Sequence, residues 1–210
     1  AEEPLSSDAA RRARAVIARQ TGHLSRLVDD LLDVTRLASG KVALHMQEIA
    51  LDDALRQAID DHRSLAEGAG VQLALELPSS PVRVRGDRTR LAQMIGNLIQ
   101  NAVRFTPDGG RVSVSLEQRD SEAEIRVRDT GSGIEPHILE RVFEPFVQGA
   151  QAATRARGGL GLGLALVKGL AELHGGRVHA RNIGPGQGAE FSLVLPVLRA
   201  GRDDGPERPA

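Results

Sequence analysis

Asn97, Asn101 and Arg104 fall at i, i+4 and i+7, so on a helix they lie along one stripe. Two carboxamides and a guanidinium facing one edge of a core could hold a hydrated cation and a phosphate chain. The same residues would also serve as a solvated helix flank. Asp129 offers different chemistry. It shares the parity of Ala123, Ile125 and Val127 in an alternating segment, which predicts a carboxylate turned toward the buried face of a sheet. A buried carboxylate needs donors, or its pKa rises. Thr130-Gly131-Ser132-Gly133-Ile134 follows at once, a turn that lets a flat ligand approach the backbone, and an exocyclic amine is a suitable donor for the acid. The alternative is a turn whose Asp bonds its own backbone. A third segment, Gly158-Gly159-Leu160-Gly161-Leu162-Gly163-Leu164, opens a helix, where free N–H groups and the dipole suit a polyphosphate. Glycines there could equally serve helix-to-sheet packing.

Other phosphate-binding and nucleic-acid devices are excluded by what the chain lacks. Lysine occurs only at Lys41 and Lys168, and neither closes a P-loop sequence. Gly184-x-Gly186-x-x-Ala189 precedes a strand where a dinucleotide fingerprint follows one. The aromatics are Phe105, Phe143, Phe146 and Phe191, too few for stacked-base platforms. With 27 Lys+Arg against 28 Asp+Glu, the net charge of −1 argues against nucleic-acid or anionic-membrane binding by bulk charge. No apolar run approaches the roughly 20 residues of a membrane span, and the first residues lack the pattern of a signal peptide. The absence of Cys fits a reducing compartment, so a cytoplasmic location without direct membrane contact is expected. His23, His45, His62, His137, His174 and His179 are scattered without metal-ligand spacing.

The elements that must position these residues follow from periodicity. A helix is predicted from Ser7 to Ala38, where Ala13, Val16, Leu24, Leu27, Leu31, Val34 and Ala38 form a heptad seam that calls for a partner helix. Val42, Leu44 and Met46 alternate as a strand, and Leu51 to Ala66 is an amphipathic helix. Strands are expected around Val71 to Leu77 and Val82 to Val84. A helix capped by Asp87 should run to about Phe105 with Leu91, Met94, Ile95, Leu98, Ile99 and Ala102 inward. Strands Arg111 to Glu117 and Glu122 to Asp129 follow, then an irregular stretch to Gly159, a helix from Leu160 to Leu173, and strands Arg177 to Arg181 and Ala189 to Leu195. Mixed order without strict alternation predicts a two-layer α+β sandwich. Residues 1–40 would be a dimerisation helix, 41–198 the sandwich, and 199–210 a linker.

Asn97-Leu98-Ile99-Gln100-Asn101-Ala102-Val103-Arg104-Phe105-Thr106-Pro107 resembles the N box of sensor histidine kinases. Asp129 to Ile134 resembles their first glycine box, Phe143-Glu144-Pro145-Phe146 their F box, and Gly159 to Gly163 their second glycine box, in the family's order and over residues 41 to 197. Leu24 to Gly40 resembles the second helix of the family's dimerisation and phosphoacceptor hairpin. The resemblance implies an ATP-binding α/β sandwich of the histidine-kinase/gyrase ATPase type. In it Asp129 would accept from the adenine amine, Asn101 would bind Mg²⁺, and Asn97 would act near the phosphates. Arg104 would contact phosphate, where the family often has Lys, and Phe105 would cover the nucleotide. Gly131, Gly133, Ile134, Phe146, Gly159, Leu160, Gly161, Leu162 and Gly163 would line the site, and Gln148 to Arg157 would be a lid carrying Arg155 to the γ-phosphate.

Leu160 and Ala189 depart from the Thr, or Thr and Ser, common at those positions. The family's H box is missing, and His23, followed by Leu-Ser-Arg, lacks its context. The implied activity is therefore γ-phosphoryl transfer from Mg-ATP to a histidine upstream, for relay to a response-regulator receiver domain, by a homodimer joined through the N-terminal helix. Where the related ATPases resemble one another in a general-base Glu, this chain has Asn97, which cannot take a proton, so slow ATP hydrolysis is expected. The competing readings are a nucleotide-binding dimeric scaffold and an ATP-driven machine of the gyrase kind.

Overall fold

The computed structural model describes residues 7–149, 160–184 and 186–198. Helix α1 (Ser7–Ala38) leads through an extended segment to β1 (Gln47–Ala50), α2 (Leu51–Gly68), β2 (Gln72–Glu76), β3 (Arg83–Gly86) and α3 (Arg88–Phe105). Then come β4 (Arg111–Arg119), β5 (Glu122–Asp129), the short α4 (Pro136–Leu139), α5 (Gly163–Leu173), β6 (Arg177–Asn182) and β7 (Ala189–Pro196). A five-stranded sheet has the order β2-β4-β5-β7-β6, with β2 and β4 parallel and the other pairs antiparallel, while β1 and β3 form a separate antiparallel pair.

Strict alternation in β4 and β5 puts Val112, Val114, Leu116, Ala123, Ile125 and Val127 on the face covered by helices. Leu55 and Ile59 from α2, Leu91 to Ile99 from α3, and Leu166 and Leu170 from α5 complete that core. The opposite face is polar and laced with ion pairs: Arg126 sits between Glu117 (2.7 Å) and Glu124 (2.6 Å), and Arg181 meets Glu190 at 2.7 Å. This is the expected two-layer sandwich.

The start of α3 is a junction. Asp87 Oδ1 accepts from the N–H groups of Thr89 (2.9 Å) and Arg90 (3.1 Å), and Oδ2 accepts from His45 N–H (3.0 Å). The Asp87 N–H donates to Nε2 of buried His174 at 3.1 Å, and His174 Nδ1 donates to Leu170 O at 2.7 Å, so the C-terminus of α5 is tied to the N-cap of α3. Burial raises the Asp87 pKa, but these three backbone donors and nearby Arg90 outweigh it and hold the carboxyl below its ordinary value.

The predicted strand over Val42, Leu44 and Met46 is not formed. The backbone N–H of His45 is taken by a side chain, Asp87 Oδ2, instead of by a neighbouring strand, and pairing begins only at Gln47 against Gly86. The irregular stretch after Thr130 contains α4, started by a Pro at its first position.

Helix α1 behaves differently along its length. Val16, Ile17, Leu24 and Val28 are exposed, whereas Val34 and Leu37 pack against the core, Leu37 lying on Gly169 of α5. Buried Asp33 accepts from Arg90 at 2.7 Å and from Gln93 at 2.9 Å, docking the end of α1 on α3. The side chain of His23 lies outside the described residues, as do residues 199–210. Among the described residues no helix is long and apolar enough to cross a membrane.

Candidate functional site

Helix α3 presents its polar stripe at the margin of the core. Leu98, Ile99 and Ala102 are fully buried, while Asn97, Asn101 and Arg104 are half-buried beside them. Asn97 Nδ2 donates to Gly163 O at 3.3 Å, which sets the N box against the first turn of α5. Asn101 makes no side-chain hydrogen bond to any described residue. The Arg104 guanidinium lies 5.2 Å from the Phe105 ring centroid, a cation–π pair at the end of the helix.

Helix α5 starts without a side-chain cap, because Leu162 stands at the N-cap position and cannot accept from the first N–H groups. Leu162 itself is buried and Leu160 is partly exposed. Gly161 takes φ +74 and its carbonyl accepts from the Phe146 N–H at 3.1 Å, so the second glycine box and the F box meet. Phe146 has φ +66 and is 62% exposed, whereas Phe143 packs edge-on against Phe191 with 6.3 Å between centroids. Gly159, Arg155 and the predicted lid from residue 150 to 157 lie outside the described residues.

At the end of β5, Asp129 points inward as its parity predicts and is only 3% exposed. Its Oδ1 accepts from Gly131 N–H at 2.8 Å and from Ala189 N–H at 3.3 Å. No described donor reaches Oδ2. Burial pushes the Asp129 carboxyl above its ordinary value, and the two backbone hydrogen bonds offset only part of that. The turn reading of the hexapeptide is realised, since the acid bonds its own backbone through Oδ1.

Close backbone packing explains the glycines around it. A Cβ on Gly131 would collide with the Phe105 carbonyl, so the turn lies on the end of α3. A Cβ on Gly188, whose φ is +94, would collide with the Asp129 carbonyl, so the β6–β7 turn lies on the acid. Gly133 takes φ +75, and the next residue, Ile134, exchanges two hydrogen bonds with Asn182. Thr130 Oγ1 accepts from Arg111 N–H at 2.9 Å, anchoring the turn to β4.

Asn97, Asn101, Arg104 and Phe105 thus lie on α3, Asp129 ends β5 with Gly131, Gly133 and Ile134 in the turn after it, and Gly161 to Gly163 form the entry to α5, where the Phe146 N–H meets the Gly161 carbonyl. Sequence reasoning missed Asn182, Gly188 and the Ala189 N–H. Gly188, immediately before a strand, could have been flagged as a positive-φ position; nothing local marks Asn182.

Residues 86–199, more than half of the chain, match the model of the histidine kinase-, DNA gyrase B-, and HSP90-like ATPase family. The chain belongs to that family. Among relatives, it is 38% identical over 204 residues to the sensor-like histidine kinase SenX3 of Mycobacterium tuberculosis, covering 97% of this chain and 49% of that protein. It is 40% identical over 197 residues to the histidine protein kinase DivJ of Caulobacter vibrioides, covering 94% of this chain and 32% of that one. The chain thus spans half the length of these relatives or less. Full-length ShkA, crystallised with AMPPNP, superposes with a TM-score of 0.78 at 32% identity, over 95% of this chain and 41% of ShkA. The family's sandwich and its ATP-binding character are therefore those of this chain.

Proposed function

We propose that this chain is the catalytic core of a sensor histidine kinase. It binds Mg-ATP and transfers the γ-phosphoryl group to a histidine that is not one of the six in this sequence, for relay to a response-regulator receiver domain. The observation that carries the reading is the half-satisfied acid. Asp129 is 3% exposed, its Oδ1 is held by two backbone donors, and no described donor reaches Oδ2. The 6-amino group of adenine is the donor that would complete it, a hydrogen bond to a charged group being worth about 1.5–3 kcal/mol.

The phosphate end follows from α3 and α5. The half-buried Asn101 amide, with no described partner, fits a cation that keeps most of its water and takes one or two protein oxygens. Bound there through the amide oxygen, Mg²⁺ would supply charge neutralisation along the triphosphate. Asn97, already directed at the first turn of α5, would orient the phosphates, and the uncapped N–H groups of α5 would donate to them. Arg104 would add positive charge, Phe105 would cover the nucleotide, and Arg155 would reach the γ-phosphate. Phosphoryl transfer asks for positioning and electrostatics, which these groups provide. No general base is needed for a histidine acceptor, and Asn97 cannot act as one toward water. The exposed apolar residues of α1, Val16, Ile17, Leu24 and Val28, would pair two chains through a helical seam.

Calorimetric titration of the chain with ATP, alongside Asp129→Asn, tests the reading. The wild type should bind, and the variant should lose about a hundredfold in affinity, since its amide would place a donor against the adenine amine. Equal affinity in the two proteins would contradict it.

A further inference from the structure

Asn182 is the last residue of β6 and is paired with Ala189, the first of β7. Its carboxamide makes two hydrogen bonds to a single residue of another segment. Oδ1 accepts from Ile134 N–H at 2.7 Å and Nδ2 donates to Ile134 O at 2.7 Å. That is the exchange a neighbouring strand would make, supplied by a side chain at the point where the sheet has ended. The glycine turn rests on the same amide, for a Cβ on Gly133 would fall 2.9 Å from Asn182 Oδ1.

These contacts close a ring. Asp129 holds Gly131 N–H, the turn continues to Ile134, Ile134 is clamped by Asn182, Asn182 pairs with Ala189, and the Ala189 N–H returns to Asp129 Oδ1. The β6–β7 turn is itself fixed by Ile183 N–H donating to Gly188 O at 3.1 Å, with Gly188 pressed on the Asp129 backbone. The side-chain hydrogen bonds in the ring run from 2.7 to 3.3 Å, and they are made by the side chains of Asp129 and Asn182.

We infer that Asn182 is a positioning residue for purine recognition: by clamping Ile134 it fixes the height of the glycine turn and the aim of Asp129 Oδ2. The inference rests on the nucleotide-binding reading above. It follows from the general requirement that a recognition group be held to within a fraction of an ångström by supporting hydrogen bonds. Asn182 itself need not touch the nucleotide.

The test uses the whole 210-residue chain, titrated with ADP and with IDP, in which an oxygen replaces the 6-amino group. Wild type should prefer ADP. Asn182→Ala should weaken ADP about tenfold and IDP little, so that the preference shrinks by about the same factor. Asn182→Asp, isosteric and still able to accept from Ile134 N–H, sets a carboxylate oxygen against the Ile134 carbonyl and should also lose preference; it carries the comparison if the alanine variant does not fold. Melting curves without nucleotide accompany both. Weakening of both nucleotides by the same factor, or a lowered melting temperature with the ADP preference intact, would overturn the positioning role while leaving the nucleotide reading standing. Failure of the wild type to bind either nucleotide would instead overturn that reading, and the inference with it.

Discussion

The two ends of the cleft are built from different materials. At the Asp129 end, backbone donors from Gly131 and Ala189, glycines without room for a Cβ, and the Asn182 clamp hold a nearly inaccessible acid. At the α3–α5 end, half-buried side chains stand along a helix, and Asn97 reaches Gly163 O at 3.3 Å. The difference matches what each end is proposed to receive. A flat, uncharged base is distinguished by the fixed direction of an acceptor on a buried residue. A triphosphate with a hydrated cation is held by charge and by water-tolerant polar groups, which need less exact placement.

Gly188→Ala should break the first end outright. Its φ of +94 strains any L side chain, and the new Cβ would meet the Asp129 carbonyl, so a loss of about 3 kcal/mol or more in unfolding free energy is expected by denaturant titration. A variant as stable as the wild type would mean that the β6–β7 turn does not press on the acid. Asn101→Ala addresses the other end. It should abolish most of the Mg²⁺ dependence of ATP affinity, about a tenfold effect, and leave the preference for ADP over IDP unchanged. Loss of purine preference in that variant would show that the two ends are not separable.

A smaller effect concerns stability without nucleotide. Burial raises the Asp129 pKa in the folded chain above its unfolded value, so the folded state binds this proton more tightly. The associated stability is fully present below the unfolded carboxylate pKa and is lost as pH rises through the raised folded value. Asp129→Asn removes that loss. At neutral pH the variant should be more stable than the wild type by something on the order of 1 kcal/mol, and the gap should close in acid. A stability gap that is independent of pH would contradict the burial account.

Much of this was legible in the sequence because it depends on local periodicity. The inward aim of Asp129 follows from the parity of Ala123, Ile125 and Val127, and the stripe of Asn97, Asn101 and Arg104 from helical spacing; both stand as expected. The first and last residues of β5 coincide with the alternating run. What was not legible depends on contacts distant in the chain. Val42, Leu44 and Met46 alternate like a strand, but a carboxylate 42 residues from His45 takes the hydrogen bond that a neighbour would need. The clamp between Asn182 and Ile134 spans 48 residues, and that between Asp129 and Ala189 spans 60. Nor does a heptad show where it stops being a seam. Val34 continues the apolar repeat of α1, yet the helix there turns its side chains onto α3 and α5, with Asp33 docked on Arg90 and Gln93.

The central claim is that Asp129 Oδ2 accepts from the purine amine, and the most direct measurement is the ratio of ADP to IDP affinity in wild type and in Asp129→Asn. In the variant the amide donor takes the place of Oδ2 and faces the purine 6-position. The account predicts a clear preference for ADP in the wild type and its inversion toward IDP in the variant, because the donor now meets an oxygen. A ratio that is the same in both proteins would contradict it.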